Sequence, residues 1–284
     1  PSSISDLVIE YDYLISTNNV GLIMRRDLKL GNEVIYVVGD SFTEGQGASP
    51  WFYELEDSKD FTNLNLINLG ILGTGPQQWV SLMKHVTKKF DLTINGIVVN
   101  IIPDDMKRVP WIFKESSLNC LHNVECDFSF GFQGFKYTKN ISNEDIKQHV
   151  FEQITKKRQD NAKAVNLKDH IKKSRVILDL YVFFKQFFKD DVFFQNEQAL
   201  LKLKSVTNNN IYINIVSQKN INSINYEKFP SVRYLTNFLK NNDFKFSWCD
   251  IPPEGFHTHD SHPNKEGYQI LKNCNKQAIK SLNS

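Results

Sequence analysis

Val34-Ile35-Tyr36-Val37-Val38-Gly39-Asp40-Ser41-Phe42-Thr43-Glu44-Gly45 is the stretch on which the fold turns. Its first five residues are apolar without interruption, as in a buried strand, and the chain then breaks through a Gly-Asp step into a serine flanked by glycines. Ser41 thereby falls at the carboxyl end of a buried strand, where the sites of open α/β sheets gather. The glycines at 39, 45 and 47 let backbone N–H groups approach a bound anionic oxygen closely. A plainer reading of the same turn makes Ser41 only the N-cap of the helix that follows.

Outward from this strand the chain alternates short apolar runs with helical patterns. Helices are expected over 51–58, over 77–89, where Trp79, Leu82, Met83 and Val86 recur on one face, and over 231–241. Strands are expected over 65–69, 96–102, 211–216 and 245–248, and a polar turn ending near Gly267 delivers the chain into a terminal helix. Such alternation gives a parallel sheet covered on both faces. Right-handed crossovers then make the fold class α/β, a three-layer α/β/α sandwich around a central parallel five-stranded sheet. Residues 1–33 read as a lead-in with short strands at 7–11 and 20–24, and 34–284 as one domain. Within it, 107–204 reads as an insertion between strands three and four. Its first half, Trp111 to Tyr137, is rich in Phe, Trp and Gly and is suited to a lid or substrate wall. Its second half, from about 142, is helical, with an apolar surface between Val176 and Phe188 that would pack on the sheet.

A serine hydroxyl is a poor nucleophile near neutral pH. A reactive one needs a base within hydrogen-bond reach and a carboxylate that fixes the tautomer of that base. Both groups stand together in Asp260-Ser261-His262-Pro263-Asn264, at the far end of the chain. His257 and His259 crowd the same segment, and with Asp260 and His262 they could in principle hold zinc. Alternation puts neighbouring histidines on opposite faces, however, and no second ligand cluster accompanies them, so both read as loop residues and no metal is expected. Asp250 is the alternative carboxylate, more simply read as a strand-end residue satisfying a turn.

Three segments, in this order, carry a family resemblance: Gly39 to Gly45, Asn68-Leu69-Gly70-Ile71-Leu72-Gly73-Thr74-Gly75-Pro76-Gln77-Gln78, and Asp260 to Gly267. They resemble the first, second and last sequence blocks of the SGNH (GDSL-type) hydrolases. The resemblance runs from about residue 34 to the end of the chain and leaves out roughly 107–200. It implies an SGNH/flavodoxin-like sandwich, with Ser41 as nucleophile, His262 as general base and Asp260 as the carboxylate that orients it. It also implies the backbone N–H groups of Ser41 and Gly73 as oxyanion donors, Gly73 being favoured over Gly70 because it sits at the turn. Asp260 precedes His262 by two positions where many members use three.

The third block departs from the family. Members usually carry an Asn-Asp pair after the third core strand, and the Asn side chain donates to the oxyanion. Here Pro103-Asp104-Asp105 follows the strand, so Asp104 holds that position. An ionised carboxylate accepts hydrogen bonds, cannot donate them, and repels a developing oxyanion. Asp104 is therefore either protonated through burial or turned away, leaving the hole to backbone donors. Asn100 could in principle substitute as the side-chain donor, but it lies inside the apolar run and reads more simply as a buried, hydrogen-bonded strand residue. With Asp40 beside the nucleophile it completes the expected oxyanion and substrate-binding set. Arg108 and Trp111 follow Asp104 closely enough to reach the pocket.

Composition narrows the function by exclusion. With 40% hydrophobic and 12% aromatic residues in 284, including 21 Phe, the chain has apolar material for a sizeable core and is not disordered. Its 34 basic and 32 acidic residues leave a net charge of +2, so nothing global points to nucleic acid. No run of eighteen apolar residues exists, so no membrane span is expected. The four cysteines form no Cys-X-X-Cys pair; Cys120 and Cys126 could close a small disulfide or stay as free thiols. The chain begins at Pro1 without an initiator Met or a signal-peptide core, which reads as a processed product. The resemblance implies a periplasmic, extracellular or membrane-anchored location over a cytoplasmic one.

The function implied is a serine esterase or acyltransferase using an acyl-Ser41 intermediate, without cofactor, on O-acetyl groups of a carbohydrate or cell-envelope glycan. Its partner would be an acylated small molecule or glycan. The rival, motivated by Asp104, is a catalytically impaired domain that binds glycan or assembles with export machinery. A metal-dependent phosphoesterase built on Asp40, Asp104, Asp105 and the histidines ranks below both.

Overall fold

The computed structural model describes residues 10–109, 147–156 and 192–282. The chain divides into two compact units, one of Tyr11–Cys126 with Asp191–Ser284, the other of Pro1–Glu10 with Asp127–Asp190. The described part of the second unit is a helix over 147–156 together with Glu10. The expected lid at 111–137, the apolar surface at 176–188, Cys120 and Cys126 lie outside the described residues, as does most of the strand expected at 7–11.

In the larger unit five strands form one sheet: β1 (Glu33–Gly39), β2 (Leu66–Gly70), β3 (Thr93–Ile101), β4 (Ile211–Val216) and β5 (Lys245–Cys249). Their order is β2-β1-β3-β4-β5 and every pairing is parallel. Consecutive residues of a strand point to opposite faces, and Ile35, Tyr36, Val37 and Val38 are all buried, as are Ile97, Val98 and Val99. Both faces of the sheet are therefore covered, which makes this unit the three-layer α/β/α sandwich expected. Each such side chain contributes about 1.5–3 kcal/mol by leaving water.

The helices of this unit are α1 (Ser41–Glu44), α2 (Phe52–Glu56), α3 (Pro76–Phe90), α4 (192–206), α5 (Pro230–Asn241) and α6 (Lys265–Leu282). Pro76, with its fixed φ and missing N–H, suits the first position of α3. Trp79, Leu82, Met83 and Val86 form its buried face, as their spacing predicts. α2 is shorter than the 51–58 expected, and Asp57 closes it with its N–H on the Tyr53 carbonyl. The chain leaves β1 to one side for β2 and returns to the other for β3. The strand order thus reverses at β1, which opens a crevice beyond the carboxyl ends of β1 and β3.

Two features differ from the sequence reading. No strand forms at 20–24; Val20, Leu22 and Met24 are buried, but their stretch is a run of turns. Polar side chains take the N–H groups that a ladder would use. Asn18 Oδ1 accepts from Val20 and Leu22, while Glu56 accepts from Arg25 and Arg26. The second is a disulfide between Cys249, at the end of β5, and Cys274 in α6, with Cα atoms 5.9 Å apart. It ties the last strand to the last helix. Among the described residues no helix is long and apolar enough to cross a membrane.

Candidate active site

The turn after β1 is built by Asp40. Its carboxylate accepts the Phe42 N–H at 3.0 Å, and its carbonyl accepts from Thr43 and Glu44 at 3.0 and 2.9 Å. Asp40, not Ser41, is the N-cap of α1, which leaves the Ser41 hydroxyl to other partners. Of the four N–H groups in this short helix, those of residues 42–44 are taken by Asp40, and the Ser41 N–H is the remaining first-turn donor. Gly45 closes the turn at φ +98°, a left-handed conformation that side chains disfavour.

The segment before α6 brings His262 to this turn. His262 Nε2 lies 2.9 Å from Ser41 Oγ, and Nδ1 lies 2.6 Å from Asp260 Oδ1. A carboxylate only accepts, so Nδ1 carries the proton and Nε2 is left to accept from the serine. Asp40 Oδ2 is a second neighbour of the hydroxyl, but at 3.4 Å it is the weaker one. Tyr11, from the lead-in, donates its hydroxyl to the other oxygen of Asp260 at 2.6 Å. Partial burial would raise the Asp260 pKa, yet the hydrogen bonds from Tyr11 and His262 hold it below the ordinary range. Burial and the bond to Asp260 push the Tyr11 phenol up to about 12. The Phe42 ring lies 5.6 Å from the imidazole and backs it.

The remaining predicted residues fall into place differently. Asp104 is half-exposed, with its carboxylate held by Lys107 at 2.9 Å and Gln218 at 3.0 Å. Desolvation opposes ionisation there, but those two donors prevail and lower its pKa. Asp104 is thus an ionised group turned to its neighbours. Asn100, offered as a possible oxyanion donor, is instead the buried, hydrogen-bonded strand residue that its apolar run favoured. Its Oδ1 accepts from Asn214 and Asn275 at 3.0 Å each, within the core, and its side chain does not line the pocket. The inward position in the middle of a fully covered strand decides this. Asp40, expected on the substrate side, does line the cavity, but as an acceptor engaged by Phe42 and by Arg108 Nη2 at 2.9 Å.

Gly70 packs α1 onto β2: a Cβ there would strike the backbone of Thr43 and Glu44, and its N–H already binds Asn68 Oδ1 at 2.9 Å. Gly73 stands in the turn before α3 at φ +74°, next to Arg108. Asp250 binds Ser223, as a strand-end residue would. His257 Nε2 meets the Gly47 carbonyl at 2.6 Å. Among the described residues no group of three His, Cys, Asp or Glu side chains gathers as a metal site.

The crevice at these residues is a cavity of about 410 Å³. Ser41, His262 and Arg108 line it, with Asp104, Gln218 and Lys219 among the polar neighbours. Sequence reading missed Tyr11 altogether, because nothing local to residue 11 signals a partner at 260. Arg108 was legible only through its nearness to Asp104. Trp111 lies outside the described residues.

No protein-family model and no curated protein sequence matches the chain. Among solved structures it is similar to an acetylxylan esterase from Geobacillus stearothermophilus, at 12% identity over 89% of this chain and 96% of that one, with a TM-score of 0.42. It is also similar to a member of the lipolytic G-D-S-L family from Veillonella parvula, at 13% identity over 88% and 99%, TM-score 0.41. A GDSL-like lipase from Bacteroides thetaiotaomicron is similar at 12% identity over 88% of each chain, TM-score 0.39. The parallel sheet, in the order 2-1-3-4-5, brings the serine after β1 and the Asp-X-His segment before the last helix to one crevice.

Proposed function

We propose that the protein is an SGNH-type serine esterase or O-acyltransferase. On this reading it works through an acyl-Ser41 intermediate on O-acetyl groups of a carbohydrate or cell-envelope glycan. The observation that carries this reading is the unbroken relay from Ser41 Oγ to His262 to Asp260, with spans of 2.9 and 2.6 Å. Ser41 Oγ attacks the acyl carbonyl carbon while His262 Nε2 takes the hydroxyl proton. Asp260 stabilises the imidazolium so formed. The tetrahedral intermediate collapses, the C–O bond to the leaving alcohol breaks, and His262 returns the proton to that alcohol. Water or a sugar hydroxyl then gives its proton to His262 and attacks the acyl carbon; the bond from that carbon to Ser41 Oγ breaks, and His262 returns the proton to Ser41. The choice between those two acceptors separates hydrolase from transferase. Polar side chains around the serine, Asp104, Gln218, Lys219 and Asn220, suit a hydroxyl-rich ligand.

Turnover of a small aryl acetate, with and without an acceptor glycan, tests the reading. Ser41→Ala and His262→Ala are expected to abolish it, and a serine-directed phosphonate is expected to label the parent at Ser41. Folded protein that neither turns over esters nor takes the label would refute it. The ionised Asp104 favours one rival, a domain that binds glycan without turning it over. That rival requires Ser41→Ala to leave the biological role intact.

A further inference from the structure

Beside the relay stands a cation that the mechanism above leaves unused. Arg108 follows the turn after β3 and is held from three directions. Its Nε donates to Asp105 Oδ1 at 2.8 Å, and its Nη2 donates to Asp40 Oδ2 at 2.9 Å. Its carbonyl accepts from Asn196 Nδ2 of α4 at 3.2 Å. Asp40 and Asp105 are both buried, so the guanidinium is clamped by two acids with little access to solvent. The third nitrogen, Nη1, makes no hydrogen bond among the described residues; it lies 3.9 Å from the point where a Cβ on Gly73 would be. The side chain lines the cavity with Ser41 and His262, whereas Gly73 does not. The same Asp40 oxygen neighbours both Arg108 Nη2 and Ser41 Oγ.

We propose that Arg108 Nη1 is the side-chain oxyanion donor of this site, in place of the amide that an Asn at position 104 would have supplied. The inference rests on the acyl-Ser41 reading. Asp104 accepts from Lys107 and Gln218 and has no proton to give. Arg108 is always protonated and, with Nε and Nη2 fixed, has Nη1 set in the plane of the fork without further ordering. A donor fixed in advance on a side chain that lines the crevice is the arrangement that stabilises charge developing on a carbonyl oxygen. Burial, and next the charge of Asp40, push Asp105 well above the ordinary carboxylate range.

The test is steady-state turnover of 4-nitrophenyl acetate by the full chain. Loss of one oxyanion donor typically lowers kcat by about 10²–10³-fold, so Arg108→Ala and Arg108→Gln are expected to lose that much with KM within about threefold of the parent. Arg108→Lys, which keeps charge but not the fork, is expected to recover part of the loss. A trifluoromethyl ketone, which forms a tetrahedral adduct, is expected to bind Arg108→Lys more weakly by the same factor as kcat/KM falls. That measurement also serves if the Ala and Gln variants, which leave two buried acids unpaired, do not fold. Unchanged kcat in a folded variant, a rise in KM alone, or ketone affinity that does not follow kcat/KM would each overturn the proposal. Ser41→Ala separates the two levels. If it retains turnover, the acyl-Ser41 reading fails; if it abolishes turnover while Arg108 variants stay fully active, only the role of Arg108 fails.

Discussion

Replacing Tyr11 by Phe removes one oxygen and tests whether the lead-in belongs to the site. The Tyr11 hydroxyl reaches Asp260 Oδ2 at 2.6 Å, a charge-assisted bond on a carboxylate whose other oxygen holds His262 at 2.6 Å. Hydrogen bonds to charged groups contribute about 1.5–3 kcal/mol. The pair is only partly buried, so the low end applies. Folding stability of Tyr11→Phe is expected to fall by about 1–1.5 kcal/mol. Part of that energy reaches catalysis, because a carboxylate held at one oxygen holds the imidazole less firmly in line with Ser41. A loss of about 0.7–1.4 kcal/mol in the transition state corresponds to a fall in kcat of about 3–10-fold, with KM unchanged. Removing the carboxylate itself, as in Asp260→Asn, is expected to cost about 10⁴-fold. The assay is aryl acetate turnover, with urea unfolding of the same preparations. An unchanged kcat in Tyr11→Phe, or a loss as large as that of Asp260→Asn, would refute this positioning role.

Two further outcomes follow from the core. The Cys249–Cys274 bridge closes a loop with a sequence separation of 25, for which the chain-entropy relation gives about 3.5 kcal/mol; reduction should lower the urea midpoint accordingly, and an unchanged midpoint with both thiols titrating free would contradict it. Burial pushes the Glu44 carboxyl up to about 7, against the Leu72 N–H that it accepts, with the charge of Asp40 adding to the rise. The folded state therefore holds this proton more tightly than the unfolded chain. From about pH 4.5 to 7 stability should fall as pH rises, by up to about 1.4 kcal/mol per pH unit. Glu44→Gln should flatten that window, and a slope unaltered by the substitution would exclude Glu44 as its source.

Much of this molecule was written locally. The unbroken apolar run at 34–38 and the run at 96–102, interrupted by Asn100, read as strands covered on both faces, and the apolar stripe at Trp79, Leu82, Met83 and Val86 as a helix face. The stretch at 20–24 misled because β-like composition does not supply a neighbouring strand; Asn18 took the N–H groups of Val20 and Leu22 instead. Asn100 shows the value of strand position over residue type: its amide suits an oxyanion donor, but its place inside an apolar run puts it in the core among Asn214 and Asn275. The cysteine pair was illegible because nothing in the spacing of four cysteines selects Cys249 with Cys274.

By itself the sequence determined the alternating α/β plan, the serine at the end of the first strand and the Asp and His that would have to meet it, since apolar periodicity and residue chemistry are local properties. Only the tertiary structure decided that they do meet, that Asp104 turns to Lys107 and Gln218, that Tyr11 closes on Asp260, and that Arg108 is clamped by two buried acids beside Ser41. Apart from the local pairs Asp104–Lys107 and Asp105–Arg108, those are contacts between segments far apart in the chain. Their distances are set by how the crossovers stack on the sheet, which no single stretch of residues encodes.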